Sequence, residues 1–504
     1  MFSPMPKSKK TIKPLHAYAR LPISSTLRLR QPPPVSTFTP PPIDTSSSSL
    51  TPPPANTSAK PSPQRHINPS LQLAKQLTAL NVEVTFATTV VAARRMNITQ
   101  KIPSPPTLSF ATFSDGCDDE NRTNSDFNHY VSELKRCGSQ SLTNLITSAR
   151  GPGRRPFTCV IYSLLLNWAA ELATSFNIPS ALFSAQPATV LALYYYYFHG
   201  FGDEIINKLQ KNNPSLSIKL PGLPLFKSHD MPSFFSPSGR DAFIIPLMRE
   251  QMEFLGQQKK PTKVLVNTFD ALENEALRAI NELKMVGIGP LISELHGDLF
   301  QLSNEDYYIE WLNSKANSSV VYLSFGSICV LSKEQEEEIF YGLLESEYQF
   351  LWVMRSKNDE EEKKWKELVE GQGRIVGWCR QIEVLKHPSL GCFITHCGWN
   401  STLESLSFGV PMVGFPQQID QATNAKLVED VWKMGVRVKV NSEGIVEREE
   451  IRRCVDLVME RKNGEKGDRR MLRSGKNWLG RLSMKVDPQF SILRTLLMRL
   501  MGDG

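Results

Sequence analysis

Residues 390–409 read LGCFITHCGWNSTLESLSFG. The apolar run GCFITH has the make-up of a short strand, Cys397-Gly398-Trp399 suits a tight turn, and NSTLESLSFG opens a helix at Asn400–Ser401. A helix that starts directly after a strand offers free backbone N–H groups and the positive end of its dipole. That is an anion site, and a diphosphate belongs in it. Three plainer readings stand beside this one. Glu404 lies three residues after Ser401, so the pair reads equally as a capping box. Trp378 taken alone reads as core. His387 and His396 with Cys379, Cys392 and Cys397 suggest zinc, but their spacing matches no ligand pattern.

Elements that would position such a turn recur along the chain. LQLAKQLTALN carries apolar residues at helical spacing, and VEVTFATTVV then alternates as a strand. TCVIYSLLL and IPSALFS read as strands separated by the helix NWAAELATSFN; KVLVNTF and MVGIGPLI are strands on either side of a helix at ALENEALRAI. A second series opens with SVVYLSFGS and continues through FLWVMRS, GRIVGWC, GCFITHCG and GVPMVGFP. Strands alternating with helices predict α/β architecture, with two doubly wound parallel sheets. Ligands of such sheets sit beyond the carboxyl ends of the strands, so the loops after them are where chemistry is expected.

Composition narrows the class. A chain of 504 residues with 40% hydrophobic and 22% charged residues reads as a soluble globular protein of two domains plus extensions. Residues 1–60 contain eight Lys/Arg and one acid, which is the whole of the +7 net charge. The neutral remainder has no electrostatic footprint for nucleic acid. No apolar run reaches the ~18–20 residues that cross a bilayer, so stable membrane insertion is not expected. The scattered cysteines read as reduced thiols of an intracellular protein. No GxGxxG follows a strand with an acid further on, which argues against a nicotinamide oxidoreductase.

The stretch 378–421, WCRQIEVLKHPSLGCFITHCGWNSTLESLSFGVPMVGFPQQIDQ, resembles the signature of plant secondary-product UDP-glycosyltransferases. About a dozen positions at set spacing carry it. The wider resemblance runs from about His66 to about Arg473. HINPSLQLAKQL, SELKRCGSQ, YYYYFHGFGD and VLVNTFDALENEALRAI bring it near the branch of anthocyanin 5-O-glucosyltransferases and crocetin or auxin-type glucosyl-ester formers. It implies the GT-B fold, two Rossmann-like domains facing across a cleft. It also implies an inverting transfer of glucose from UDP-glucose to a hydroxyl or carboxyl of a small aromatic or carboxylic plant metabolite. Neither cofactor nor metal is implied, and a cytoplasmic monomer is expected.

The family's residues carry over by position. His396, Asn400 and Ser401, helped by Ser327 of the SFGS loop, would contact phosphate oxygens. Trp378 would stack on the uracil, and Gln381 and the Cys379 backbone would hold the uridine. Glu404 would accept bonds from the ribose. Trp399, Asp420 and Gln421 would face the sugar, where a carboxylate and a carboxamide can both accept bonds from adjacent hydroxyls. His66, in PSPQRHINP, matches the family's general base; an imidazole with a pKa near ~6.5 can take a proton from an acceptor hydroxyl at neutral pH.

Three departures from the family pattern matter. Ser163, in CVIYSLLLNW, stands where many relatives carry an Asp that holds the His. A Ser orients the ring but does not stabilise an imidazolium, which favours carboxylic acceptors already ionised at pH 7. Second, an apolar strand is usual before the His loop, and here the text is PPPANTSAKPSPQR. Residues 1–65, Pro/Ser-rich and basic, are expected to be a disordered extension, either a plastid transit peptide or a mispredicted exon, with the first strand missing. Such a loss would leave a relative that binds UDP-sugar without efficient turnover. Third, residues 496–502, LLMRLMG, are what codons for Phe-Val-Asp-Glu-Ile-Asn-Gly give when read one base later, so 474–504 is expected to be an aberrant tail. The expected organisation is an acceptor-binding domain at 66–292, a linker at 293–304 and a UDP-sugar-binding domain at 305–473.

Overall fold

A computed structural model of the chain describes residues 26–30, 64–96, 106–118, 127–210, 216–235, 244–292, 307–327, 329–354, 365–369 and 371–459. The linker expected at 293–304, the tail expected at 474–504, and all of 1–65 except 26–30 and 64–65 lie outside the described residues.

Helix α1 (Gln64–Ala79) buries Ile67, Leu71, Ala74 and Leu77, spaced three and four apart on one face. A left-handed turn at Asn81 (φ 62°) then feeds β2 (Glu83–Thr89). Further strands follow at β3 (Leu108–Phe113), β4 (Cys159–Ser163), β5 (Ser180–Ser184), β6 (Thr262–Val266) and β7 (Leu283–Gly287). β4 is buried along its whole length, as a central strand covered on both faces must be.

The place expected to be empty is filled. Thr26–Arg30 forms β1, and the sheet order is β3-β2-β1-β4-β5-β6-β7. β1 runs antiparallel to both neighbours, Leu27 opposite Phe86 on one side and Ile161 on the other, while every other pair in this sheet is parallel. The expectation of a missing first strand and wholly disordered residues 1–65 is corrected for these five residues. TLRLR alternates apolar and polar, a strand signature, but it lies in Pro/Ser-rich surroundings far from α1. The backbone groups of β2 and β4 need ladder partners whatever the direction of the strand that supplies them.

The helix expected at ALENEALRAI reduces to a turn at Asp270–Glu273 and a 3₁₀ turn at Ala276–Arg278. Here a tertiary bond outweighs propensity. The buried Glu273 carboxylate accepts from Ala188 N at 3.0 Å, Thr189 N at 2.9 Å and Thr189 Oγ1 at 2.7 Å. It thereby caps helix α2 (Ala188–Phe198), which holds the Tyr-Tyr-Tyr-Tyr run.

The second sheet is parallel throughout: β8 (Val320–Ser324), β9 (Gln349–Val353), β10 (Gly373–Val376), β11 (Leu390–Thr395), β12 (Met412–Gly414) and β13 (Gly435–Arg437), in the order β10-β9-β8-β11-β12-β13. Strand order reverses between β8 and β11, the switch point at which such sheets bind ligands. Three short helices frame it: α3 (Gln381–Lys386), α4 (Trp399–Phe408) and α5 (Gln421–Lys426). The two sheets share one apolar cluster, in which Phe269 and Leu272 of the first domain pack with Trp399, Leu403, Leu427 and Trp432 of the second. No helix among the described residues is long and apolar enough to cross a membrane.

Deleting residues 1–31 should expose both ladder faces that β1 covers. A fall of roughly 10 °C or more in the melting midpoint, followed by circular dichroism, is the expected outcome. An unchanged midpoint would show that the sheet does not depend on this strand.

Candidate active site

The loops after β8, β10, β11 and β12 gather the predicted residues at one edge of the second sheet. Ser327 follows β8; Trp378, Cys379 and Gln381 follow β10; His396 through Ser401 follow β11; Asp420 and Gln421 follow β12. His396 is the wedge between two of these loops. It is 3% exposed, and a Cβ added at Gly326 or Gly398 would come within 2.8 or 2.4 Å of its ring. Gly326 also has φ +71°, so both the approach and the backbone demand glycine there. Cys397, at φ 58°, completes the turn into α4.

Gly398 is the N-cap of α4 and, having no side chain, makes no side-chain cap bond. The capping-box reading of Ser401 and Glu404 is therefore excluded, because Ser401 is the third helical residue. Glu404 instead accepts from Gln381 Nε2 at 2.6 Å, and the same nitrogen donates to Ser401 Oγ at 2.9 Å. The Tyr322 hydroxyl donates to Gln381 Oε1 at 3.3 Å. Both amide hydrogens of Gln381 are thus engaged within the protein, and its side chain aligns Ser401 and Glu404. Trp378 is half-buried, as a stacking platform open on one face would be, and is not a core residue. Asn400 is likewise half-buried, in the first turn of α4.

Trp399 departs from expectation. Its indole is buried, lies 5.9 Å from the Trp432 ring and donates to Asn267 O at 2.7 Å. It is a strut between the domains, and what it presents to the turn is backbone. Asp420 and Gln421 are both buried. Asn424 Nδ2 donates to Asp420 Oδ2 and to Cys397 O, each at 2.9 Å, and so ties the Asp420 carboxylate to the turn. Gln421 Oε1 accepts from Gln417 N at 2.8 Å and Gln418 N at 3.0 Å, while its Nε2 has no partner among the described residues. The carboxamide therefore has a donor left to offer, and its oxygen, the acceptor the sequence suggested, is already engaged.

Thiolate and zinc chemistry find no support here. Burial pushes the Cys397 thiol up to about 12. His387 turns to Ser389 Oγ at 2.7 Å and Asn313 Oδ1 at 3.0 Å. Among the described residues no group of three or more His, Cys, Asp or Glu side chains is arranged to hold an ion.

In the first domain, α1 packs on the sheet and its last turn leads straight into the start of β2. Its first turn, with His66, accordingly lies toward the edge at which β2 and its parallel neighbour strands end. Ser163, 4% exposed, ends β4 at that edge.

Some contacts of the site were not read from the sequence. Asn424 stands four residues after Asp420 on the same short helix, an i,i+4 spacing that would have revealed it. Asn267, Asp230 and Ser233 had no such signal, because their partners lie more than a hundred residues away in the other domain. Ser233 Oγ accepts from Ile419 N at 2.7 Å and Ser233 N donates to Ile419 O at 2.9 Å. Asp230 O accepts from Thr423 Oγ1 at 2.7 Å, and Asp230 Oδ1 from Arg437 Nη1 at 2.8 Å.

Residues 297–465 match the family model for UDP-glucoronosyl and UDP-glucosyl transferases. The chain is 65% identical to mogroside I-E synthase of Siraitia grosvenorii, over 82% of this chain and 88% of that protein. It is 49% identical to the chloroplastic crocetin glucosyltransferase of Gardenia jasminoides, over 84% and 92%. With the anthocyanidin 3-O-glucoside 5-O-glucosyltransferase of Verbena hybrida it shares 47%, over 84% and 94%. The structure superposes on Os79 from O. sativa in complex with UDP with a TM-score of 0.69 at 29% identity, covering 83% of this chain and 93% of that one. The resemblance to the anthocyanin 5-O- and crocetin glucosyltransferase branch is borne out. Strand-end loops converging on a helix start with a glycine N-cap, in a chain this similar to these enzymes, identify a GT-B enzyme that belongs to the UDP-glucuronosyl and UDP-glucosyl transferase family.

Proposed function

We propose that the chain is an inverting UDP-glucose glucosyltransferase acting on a hydroxyl or carboxyl of a small plant metabolite. The observation that carries this reading is the edge of the second sheet, where a helix start with a glycine N-cap, a half-buried tryptophan, the half-buried pair Gln381–Glu404 and the buried pair Asn424–Asp420 meet. The diphosphate binds at the first turn of α4 to Asn400, Ser401 and His396, with Ser327 from the facing loop. Uracil stacks on Trp378 beside the Cys379 backbone, and Glu404, aligned by Gln381, accepts the ribose hydroxyls. Asp420 accepts from glucose hydroxyls and Gln421 Nε2 donates to one. His66 takes the proton of the acceptor hydroxyl, whose oxygen attacks the anomeric carbon opposite the leaving UDP. The charge that develops on UDP is met by the α4 N-terminus, so no divalent metal is needed. Two of the relatives named above are a crocetin glucosyltransferase and an anthocyanidin 3-O-glucoside 5-O-glucosyltransferase, which supports a small acceptor of this kind.

Purified protein supplied with UDP-glucose and a panel of phenolic and carboxylic acceptors should release UDP and form a glucoside, in EDTA as well as in magnesium. UDP-galactose should be the poorer donor, on the motif's closing Gln421. Equal or better use of UDP-galactose, or activity lost in EDTA and restored by magnesium, would overturn the donor assignment or the metal-free one respectively.

Trp378→Ala should weaken UDP binding by roughly 1–3 kcal/mol, the range of base–aromatic stacking. Calorimetric titration checks this; unchanged affinity removes Trp378 from the uracil site.

His66→Ala should lower kcat on a hydroxyl acceptor by roughly 10²–10⁴ with little change in the Kd of UDP. The loss should be smaller on a carboxylic acceptor, which is ionised at neutral pH and has no proton to give up. Equal rates for wild type and variant on a hydroxyl acceptor would exclude His66 as the base.

A further inference from the structure

We infer that Ser233 and Asp230, in the first domain, are positioning residues for the transferred sugar. Through them the acceptor-side domain sets the place of Asp420 and Gln421. The inference rests on the sugar-facing role proposed above for those two side chains.

The residues that bracket Asp420–Gln421 are bonded to the other domain. Ile419, immediately before them, gives both its N–H and its C=O to Ser233, at 2.7 and 2.9 Å. Thr423, just after them, donates to Asp230 O at 2.7 Å. Ile419 has φ 58°, and for a β-branched residue that left-handed conformation is a true outlier. Such a conformation persists only where its surroundings over-determine it. The pair of bonds from Ser233 is that constraint, and it acts one residue before the proposed sugar carboxylate. Asp230 anchors the donor-side strand as well. Its buried carboxylate accepts from Lys227 N at 2.8 Å and from Arg437 Nη1 at 2.8 Å, with Lys426 Nζ at 3.9 Å.

The nucleotide contacts are held differently. Gln381, Ser401, Glu404 and His396 are fixed by bonds and packing inside the second domain. Loosening the clasp should therefore disturb the sugar and spare UDP. Removing it should not strip the cations of acids, because Arg437 N donates to Glu429 Oε1 at 2.9 Å, its Nε lies 3.7 Å from Glu429 Oε2, and Lys426 pairs with Asp430. Ser233 is half-buried, which leaves room for the methyl group of threonine.

The test compares wild type with Ser233→Ala, Ser233→Thr and Asp230→Asn in the full chain. Calorimetry gives the Kd of UDP and of UDP-glucose. Steady-state kinetics give kcat and KM for UDP-glucose with the acceptor that wild type turns over fastest. In Ser233→Ala and Asp230→Asn, UDP affinity should stay within about twofold. UDP-glucose affinity should fall toward that of UDP, and kcat should drop roughly tenfold or more, as expected for a misplaced reacting group. Ser233→Thr should restore wild-type values, a rescue that loss of folding would not give. Unchanged UDP-glucose affinity and kcat in both variants would overturn the inference. So would a fall in UDP affinity as large as the fall in kcat, which would mean that the clasp holds the whole donor domain. If wild type transferred no glucose at all, the proposed activity would fail, while the two Kd values would still decide the role of the clasp.

Discussion

Two loops meet at the imidazole of His396, and the rest of the site depends on how closely they can approach it. Gly326 and Gly398 have no Cβ, so the ring packs between them. That packing fixes the separation of the strand ends β8 and β11. It also aims the first turn of α4 into the crevice. A helix terminus in water would be solvated and would bind anions weakly. Here the turn is flanked by buried residues and roofed by a second loop, so its donors are pre-oriented and partly desolvated, which strengthens their attraction for a diphosphate.

The polar side chains around this turn are mostly bound to one another. Gln381 links Ser401 and Glu404, Asn424 links Cys397 and Asp420, and Gln421 closes its own loop. Such second contacts hold functional side chains in single rotamers, so that binding a ligand costs little further ordering.

Much of this was legible in the sequence. The 378–421 motif lies in a continuous stretch, and its strands and helices follow apolar periodicity, so the turn, the helix and the edge to which they belong could be read directly. What could not be read came from contacts distant along the chain. Asp230, Ser233 and Asn267 mean nothing without knowing that residues 399, 419, 423 and 437 come to meet them. Trp399 lies inside the motif and still went astray, because its indole answers to Trp432 and the Asn267 carbonyl across the domain boundary. The helix expected at ALENEALRAI failed for a similar reason: Glu273 serves the N-terminus of another helix. TLRLR was missed because a proline-rich neighbourhood outweighed five alternating residues.

That short strand has a consequence for the order of folding. β2 with β3, and β4 with its parallel neighbours, can each form from contacts close along the chain. β1 pairs Leu27 with Ile161 and so closes a loop well over a hundred residues long. It is made first by the ribosome, yet neither of its partners exists until much later in synthesis. β1 can pair with β2 once that strand is made, but its other edge must wait for β4, which lies more than a hundred residues on. Non-local pairings of this kind slow folding and lengthen the time that strand edges stay open to other chains.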